Sequence, residues 1–205
     1  DRGGGSIPST PFVFISVFMD FITIDEYKAS QDINSTNQDT LISGIITRVS
    51  AFIKNYCNRS LIDYYTSDKI EYWSAGGDIV LLKEAPVLSI TSVAFSYDYG
   101  ATYETITAGA GWALDKELDV LVSTYGGFPA GPNAVRVTYK GGYDPDAPPE
   151  DLKQAVIELI TYYLKNEATP KRSTTATNLA IEYITSSNLP AHIKRVLDNY
   201  SYVYT

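Results

Sequence analysis

The chain has 205 residues, 44% of them hydrophobic and 20% charged, which is enough apolar matter for a real core and excludes a globally disordered chain. A net charge of −8 argues against a protein that grips duplex nucleic acid through a dense positive face. A single cysteine and a single histidine exclude an intramolecular disulfide and leave too few ligands for a tetrahedral zinc site.

The N-terminus passes through Gly3-Gly4-Gly5 to a short apolar run at residues 12–18, with Met19 directly after it. This run falls well below the roughly 18 residues that a bilayer span requires. It also lacks the basic start and small-residue cleavage site of a signal peptide. Two readings stand side by side. In one, residues 1–22 form an extended arm whose Phe12, Phe14, Val17 and Phe18 bind a neighbouring subunit or shell. In the other, the start is processed or extended, and the compact domain begins near Met19.

Thr23-Ile24-Asp25-Glu26 has the form of a capping box and predicts a short helix over residues 24–30. Thr36-Asn37-Gln38-Asp39 opens a second helix, with early negative charge that suits the helix dipole. Leu41, Ile42, Ile45, Ile46, Val49, Phe52, Ile53 and Tyr56 then recur at steps of three and four, one continuous apolar stripe. Gly44 costs about 1 kcal/mol relative to alanine and is read as a place for close helix packing. Cys57 ends the stripe as a buried, inert thiol.

From residue 62 to 145 tyrosine, threonine and valine alternate with glycine and aspartate, the texture of short antiparallel strands. Strands are predicted over 69–73, 78–82, 87–97, 103–106, 111–114, 118–122 and 134–139. Gly76-Gly77 predicts a tight hairpin between the first two strands. Residues 96–101 read as a further turn and 125–132 as an exposed loop.

Helix returns at Pro148-Pro149-Glu150-Asp151, where proline fits the first turn and the acids favour the dipole. Leu152, Ala155, Val156, Leu159, Ile160, Tyr163 and Leu164 follow in amphipathic order, stopping before Pro170. Residues 169–177 read as an exposed polar loop and 179–184 as a short strand. Pro190 starts a last helix with Ile193, Val196, Leu197 and Tyr200 on one face; Tyr202 and Tyr204 follow. That face either docks on a partner or covers the subunit's own core. The fold class is α+β: a small helical bundle, residues 23–61 and 146–205, with an antiparallel β insertion, 62–145, between the long N-terminal helix and the downstream helices.

Reactive groups are few. Cys57 acting as a nucleophile would need His192 beside it in space. Of the carboxylate sets, Asp144/Asp146 reads as a turn and Glu150/Asp151 as a helix start. Spacing cannot turn these, or Asp115/Glu117/Asp119, into a glycosidase pair. Asp144/Asp146 also lacks the spacing of an EF-hand calcium loop. Gly109-x-Gly111 and Gly126-Gly127 lack the helix and lysine of a phosphate loop. Lys171-Arg172 is a solvated pair in a loop. No catalytic residue, cofactor-binding residue or metal ligand is assigned. Seventeen tyrosines, with Trp73 and Trp112 in a glycine-rich β region, keep a glycan- or receptor-binding module as a rival. Against it, alternating aromatics in strands generally pack sheets.

Several phrases, taken in order, resemble the head–tail connector (adaptor) family of long-tailed bacteriophages. They are the acid-rich first helix, the long helix ending at Tyr56-Cys57-Asn58-Arg59, and the strand–proline–strand passage 79–93. The strand running into a glycine turn at 135–143, the helix opening at 149–155, and Leu189-Pro190 with its short helix to Tyr200 complete the set. The resemblance covers residues 24–200 in outline; the segment before Met19 and the large excursion between residues 97 and 132 depart from the simplest members.

The resemblance implies a structural virion protein of the neck, without enzymatic activity, cofactor, metal or membrane, found in the host cytoplasm during assembly. Such a subunit forms a homo-oligomeric ring with the portal's twelvefold symmetry. It docks on the portal protein partly through its C-terminal segment, for which Ile193, Val196, Leu197, Tyr200, Tyr202 and Tyr204 are the candidates. Its other surface meets the next connector or tail component, and DNA passes through unread. Carboxylates facing the channel would repel phosphates and let them slide. Another neck or tail-completion ring is the neighbouring alternative.

Overall fold

The computed structural model describes residues 18–168 and 189–202. Thr23 and Glu26 form the expected capping box: the Glu26 amide donates to Thr23 Oγ1 (3.2 Å), and Glu26 Oε2 accepts from the Thr23 amide (2.7 Å). Helix α1 (Ile24–Ser30) follows. Helix α2 (Asp39–Cys57) begins at Asp39 without a side-chain cap; Thr36 instead closes the preceding turn through its carbonyl, which accepts from the Asp39 amide (3.2 Å). Its stripe buries Ile42, Ile45, Ile46, Val49, Ile53 and Cys57. Gly44 plays no part in packing, because a Cβ there would meet nothing within 4 Å.

Helix α3 (Glu150–Ala168) and helix α4 (Ala191–Tyr200) pack on α2. Leu152, Val156, Leu159 and Ile160 from α3 join Ile193 and Leu197 from α4 in one apolar core with the α2 stripe. Phe21 and Ile22 belong to the same core, so residues 18–22 lie on the bundle and not away from it. The Phe21 amide donates to Ser50 Oγ (3.2 Å), and Lys54 Nζ donates to the Met19 carbonyl (2.6 Å) while pairing with Asp63. Burial pulls the Lys54 pKa down, against the opposing pull of Asp63.

Between α2 and α3 lie seven strands: β1 (Lys69–Trp73), β2 (Ile79–Leu81), β3 (Val87–Phe95), β4 (Glu104–Ile106), β5 (Trp112–Asp115), β6 (Val120–Ser123) and β7 (Val135–Gly141). They form two antiparallel sheets, one of order β1-β7-β3-β4 and one of order β2-β6-β5. Val93, Phe95, Val135, Val137 and Tyr139 of the first sheet pack with Val80, Trp112 and Leu121 of the second in a separate core. The expected Gly76-Gly77 hairpin does not form. β1 pairs with β7 and β2 with β6, so the two glycines join different sheets and Gly77 accepts from the Phe128 amide (2.9 Å).

The two cores meet at a buried carboxylate. Glu84 is 1% exposed and accepts from the amides of Ser60 and Leu61, both at 3.0 Å. Lys69 Nζ stands 2.6 Å from it, and 2.9 Å from Glu71. Arg59 binds the Ala85 carbonyl next door, and the Glu84 amide donates to the Tyr139 hydroxyl (3.0 Å). The Leu61 carbonyl accepts from the Tyr143 amide (2.7 Å), and the Pro86 carbonyl from Gly142 (3.0 Å). Glycine is required at 141 and 142: a Cβ on Gly141 would collide with the Glu84 carbonyl, and one on Gly142, at φ +97°, with that of Leu61.

Burial pushes the Glu84 carboxyl up, but Lys69 and the two amides outweigh it and hold it below 4.5; burial pulls Lys69 down, but Glu84 and Glu71 hold it above 10.5. Glu84→Gln is expected to cost about 3 kcal/mol near neutral pH, because it leaves Lys69 without its closest counter-charge. The Glu84 contribution is complete above pH 4.5 and lost as pH falls through the lower folded value, so the gap between wild type and variant narrows on acidification. The Lys69 contribution is complete below pH 10.5 and lost as pH rises through the higher folded value. Urea titrations across pH check both limbs.

Candidate assembly surfaces

The C-terminal segment is latched to both units. Ile193 and Leu197 are buried in the bundle, and Val196 and Tyr200 pack against it half-buried. Tyr200 donates its hydroxyl to Asp151 (2.6 Å), and its ring meets Tyr143 edge-on, 5.8 Å between centres. Tyr202 donates its amide to the Cys57 carbonyl (2.8 Å) and its hydroxyl to the Leu81 carbonyl (3.3 Å). The apolar face of α4 therefore covers the chain's own core, leaving His192, Lys194, Arg195 and Asp198 exposed on the other side. Tyr204 lies outside the described residues, as do Phe12, Phe14, Val17 and the loop and strand expected over 169–184. Phe18 is about half exposed, with Lys54 Nζ 4.0 Å from its ring centre.

The candidate reactive groups are not brought together. Cys57 is buried with Sγ 3.6 Å from the Leu197 carbonyl, and burial pushes its thiol up to about 11. His192 is exposed, 2.8 Å from Glu158. Asp144 accepts from the Asp146 amide (3.0 Å) in a turn, and Asp115 from those of Glu117 and Leu118 (3.0 and 3.2 Å) in the β5–β6 turn. Asp119 reaches away to the Val87 amide (2.9 Å). Among the described residues no group of three or more His, Cys, Asp or Glu side chains is placed to hold a metal ion. None of the described helices is long and apolar enough to cross a membrane.

Sequence reasoning placed the turns of the β unit but did not say which aromatics stand exposed on them. Trp112 is buried in the sandwich, where its indole donates to the Ile106 carbonyl (2.8 Å). Tyr97, Tyr99 and Tyr125 are instead 76%, 75% and 77% exposed, the most exposed of the large hydrophobic side chains described. Tyr99 and Tyr125 lie in the turn expected over 96–101 and the exposed loop expected over 125–132, and Tyr97, also counted in the strand expected over 87–97, lies in that turn because β3 ends at Phe95. Ile79 and Leu81 on β2 and Leu118 in the β5–β6 turn are also exposed.

Comparison with known proteins points one way. A family model described as head completion protein matches residues 20–203. A chain in the neck of an empty gene transfer agent particle, computed with C6 symmetry, shares the fold with a TM-score of 0.59 and 17% identity, covering 90% of this chain and 91% of that one. A chain in the neck of the native particle, computed with C12 symmetry, gives 0.55 and 18%, covering 89% of each. A chain in the native gene transfer agent virion gives 0.60 and 17%, covering 90% and 91%. No curated protein sequence matches.

Because Leu197 is fully buried and Arg195 exposed, the two sides of α4 are expected to respond differently. Leu197→Ala should lower the unfolding free energy by about 2–5 kcal/mol, whereas Arg195→Ala should stay within about 0.5 kcal/mol. Chemical denaturation of the two variants checks this.

Proposed function

The chain belongs to the head completion protein family, and on that premise we propose that it is a ring-forming subunit of the neck, joining the portal of a filled head to the tail. It is a structural virion component and not an enzyme. The observation that carries the reading is the family match over residues 20–203, nearly the whole of both cores. Support comes from the fold it shares with chains in gene transfer agent necks, one of them computed with C12 symmetry.

A closed ring of identical subunits joins head to tail, so each subunit needs two different faces that complement one another. In this reading residues 23–61 and 146–205 form the connector core, and 62–145 an insertion that decorates it. The C-terminal segment meets the portal through the outward side of α4 and the residues after Tyr202, since its apolar side is occupied within the subunit. DNA passes through the ring without being read, and the chain's net charge of −8 favours passage over retention.

Particles assembled without this chain are expected to fill with DNA yet fail to join tails, and the purified full chain should restore joining. Counting tailed particles by electron microscopy checks this. Normal tail joining in its absence contradicts the proposal.

A further inference from the structure

We propose that the loop end of the β sandwich is a preformed docking surface for a cationic protein face, that of the next neck or tail component. The identity of this occupant rests on the neck assignment; the surface itself rests on the loops. Three loops, residues 74–78, 96–102 and 124–133, meet there. The Phe128 amide donates to the Gly77 carbonyl (2.9 Å), Asn133 to Ser74 Oγ (3.4 Å), and the Ser96 amide to the Ala134 carbonyl (2.8 Å). The Tyr99 ring lies so close to Gly131 that a Cβ there would sit 3.3 Å from it.

These loops are fastened from beneath. Asp98 accepts from Ser96 Oγ (2.7 Å), the Thr102 amide (2.8 Å) and Thr102 Oγ1 (2.6 Å), while Ser96 Oγ accepts from the Gly100 amide (2.8 Å). The Thr102 and Ser96 bonds hold the Asp98 carboxyl down at about 2, so it stays charged. Ser123 Oγ accepts from the amides of Tyr125 and Gly127 (3.3 and 3.1 Å). Phe128 plugs the sandwich beneath them, edge-on to Phe95 at 5.8 Å.

The result is a fixed backbone carrying the exposed rings of Tyr97, Tyr99 and Tyr125. Rigid aromatics on ordered loops lose little freedom on binding, and a mixture of tyrosine, serine, glycine and asparagine is the composition of protein-binding loops. Charge selects the partner. The three loops contain Asp78 and Asp98 and no lysine or arginine. Tyrosine faces also attract guanidinium groups, as Arg136 on the adjoining sheet already illustrates, 4.4 Å from the centre of the Tyr103 ring. A second copy of a chain with net charge −8 is the poorer fit.

The test uses heads lacking this chain, supplied with purified full-length protein: wild type, the triple variant Tyr97→Ser/Tyr99→Ser/Tyr125→Ser, and separately Asp78→Lys, which leaves the rings intact. Incorporation into heads and the count of tailed particles are read together. Both variants are expected to enter heads at the wild-type level while tail joining drops about tenfold or more. Should the triple variant melt early, Asp78→Lys decides alone. Unchanged joining overturns the proposal, and so does loss of incorporation, which would turn the loop end toward the head or a sister subunit. Unchanged joining with lost binding to host envelopes would assign the loops to a glycan, equally against it. If the wild-type chain itself fails to enter heads, the neck assignment fails, and this occupant with it.

Discussion

A carboxylate shut away from water has to be matched on every side, and Glu84 is matched by groups from both halves of the molecule. Lys69 comes from the first strand, the Ser60 and Leu61 amides from the turn after α2, and the Tyr139 hydroxyl, which accepts from Glu84's own amide, from the centre of the first sheet. Leaving any of these groups buried and unpaired is costly, which ties the sandwich to the helices. Leu61 adopts φ +69°, unusual for a branched side chain, and in that conformation its amide reaches Glu84 while its carbonyl takes the Tyr143 amide. The same site explains why Gly141 and Gly142 tolerate no side chain.

Three of the phrases that carried the resemblance to head–tail connectors are pieces of this joint. The end of the long helix at Asn58-Arg59, the Glu84-Ala85-Pro86 passage between two strands, and the Gly141-Gly142-Tyr143 turn converge on one place. Tyr202 crosses beside it, bonded on one side to Cys57 of α2 and on the other to Leu81 of β2. A subunit built this way has a fixed relation between the bundle and its sandwich, which suits a component that must meet different neighbours on different faces.

Much of this was legible in the sequence. The stripe from Ile42 to Ile53 and the run from Leu152 to Ile160 have helical spacing, and both are buried as expected. Thr23 and Glu26 announced α1 by local chemistry alone. What escaped was non-local. Gly76-Gly77 has the sequence of a hairpin, but the partner of each flanking strand lies far along the chain, and pairing is decided by the sheet and not by the turn. The α4 face left two readings open because periodicity reports an apolar side without saying what covers it; the structure puts Ile193 and Leu197 in the subunit's own core. Glu84 gave no warning either, since its partners are scattered over the chain and a single glutamate after Lys83 has no spacing to read.

Amide hydrogen exchange in the wild-type and Glu84→Gln chains addresses the joint most directly. Loss of the carboxylate is expected to raise exchange at Ser60, Leu61, Gly142 and Tyr143 about ten- to a hundredfold beyond the rise that the loss of global stability gives the most protected amides of α2, α3 and β7. Unchanged protection at those four amides, or a rise there no larger than that of the core amides, would contradict the role of Glu84 as the link between the two cores.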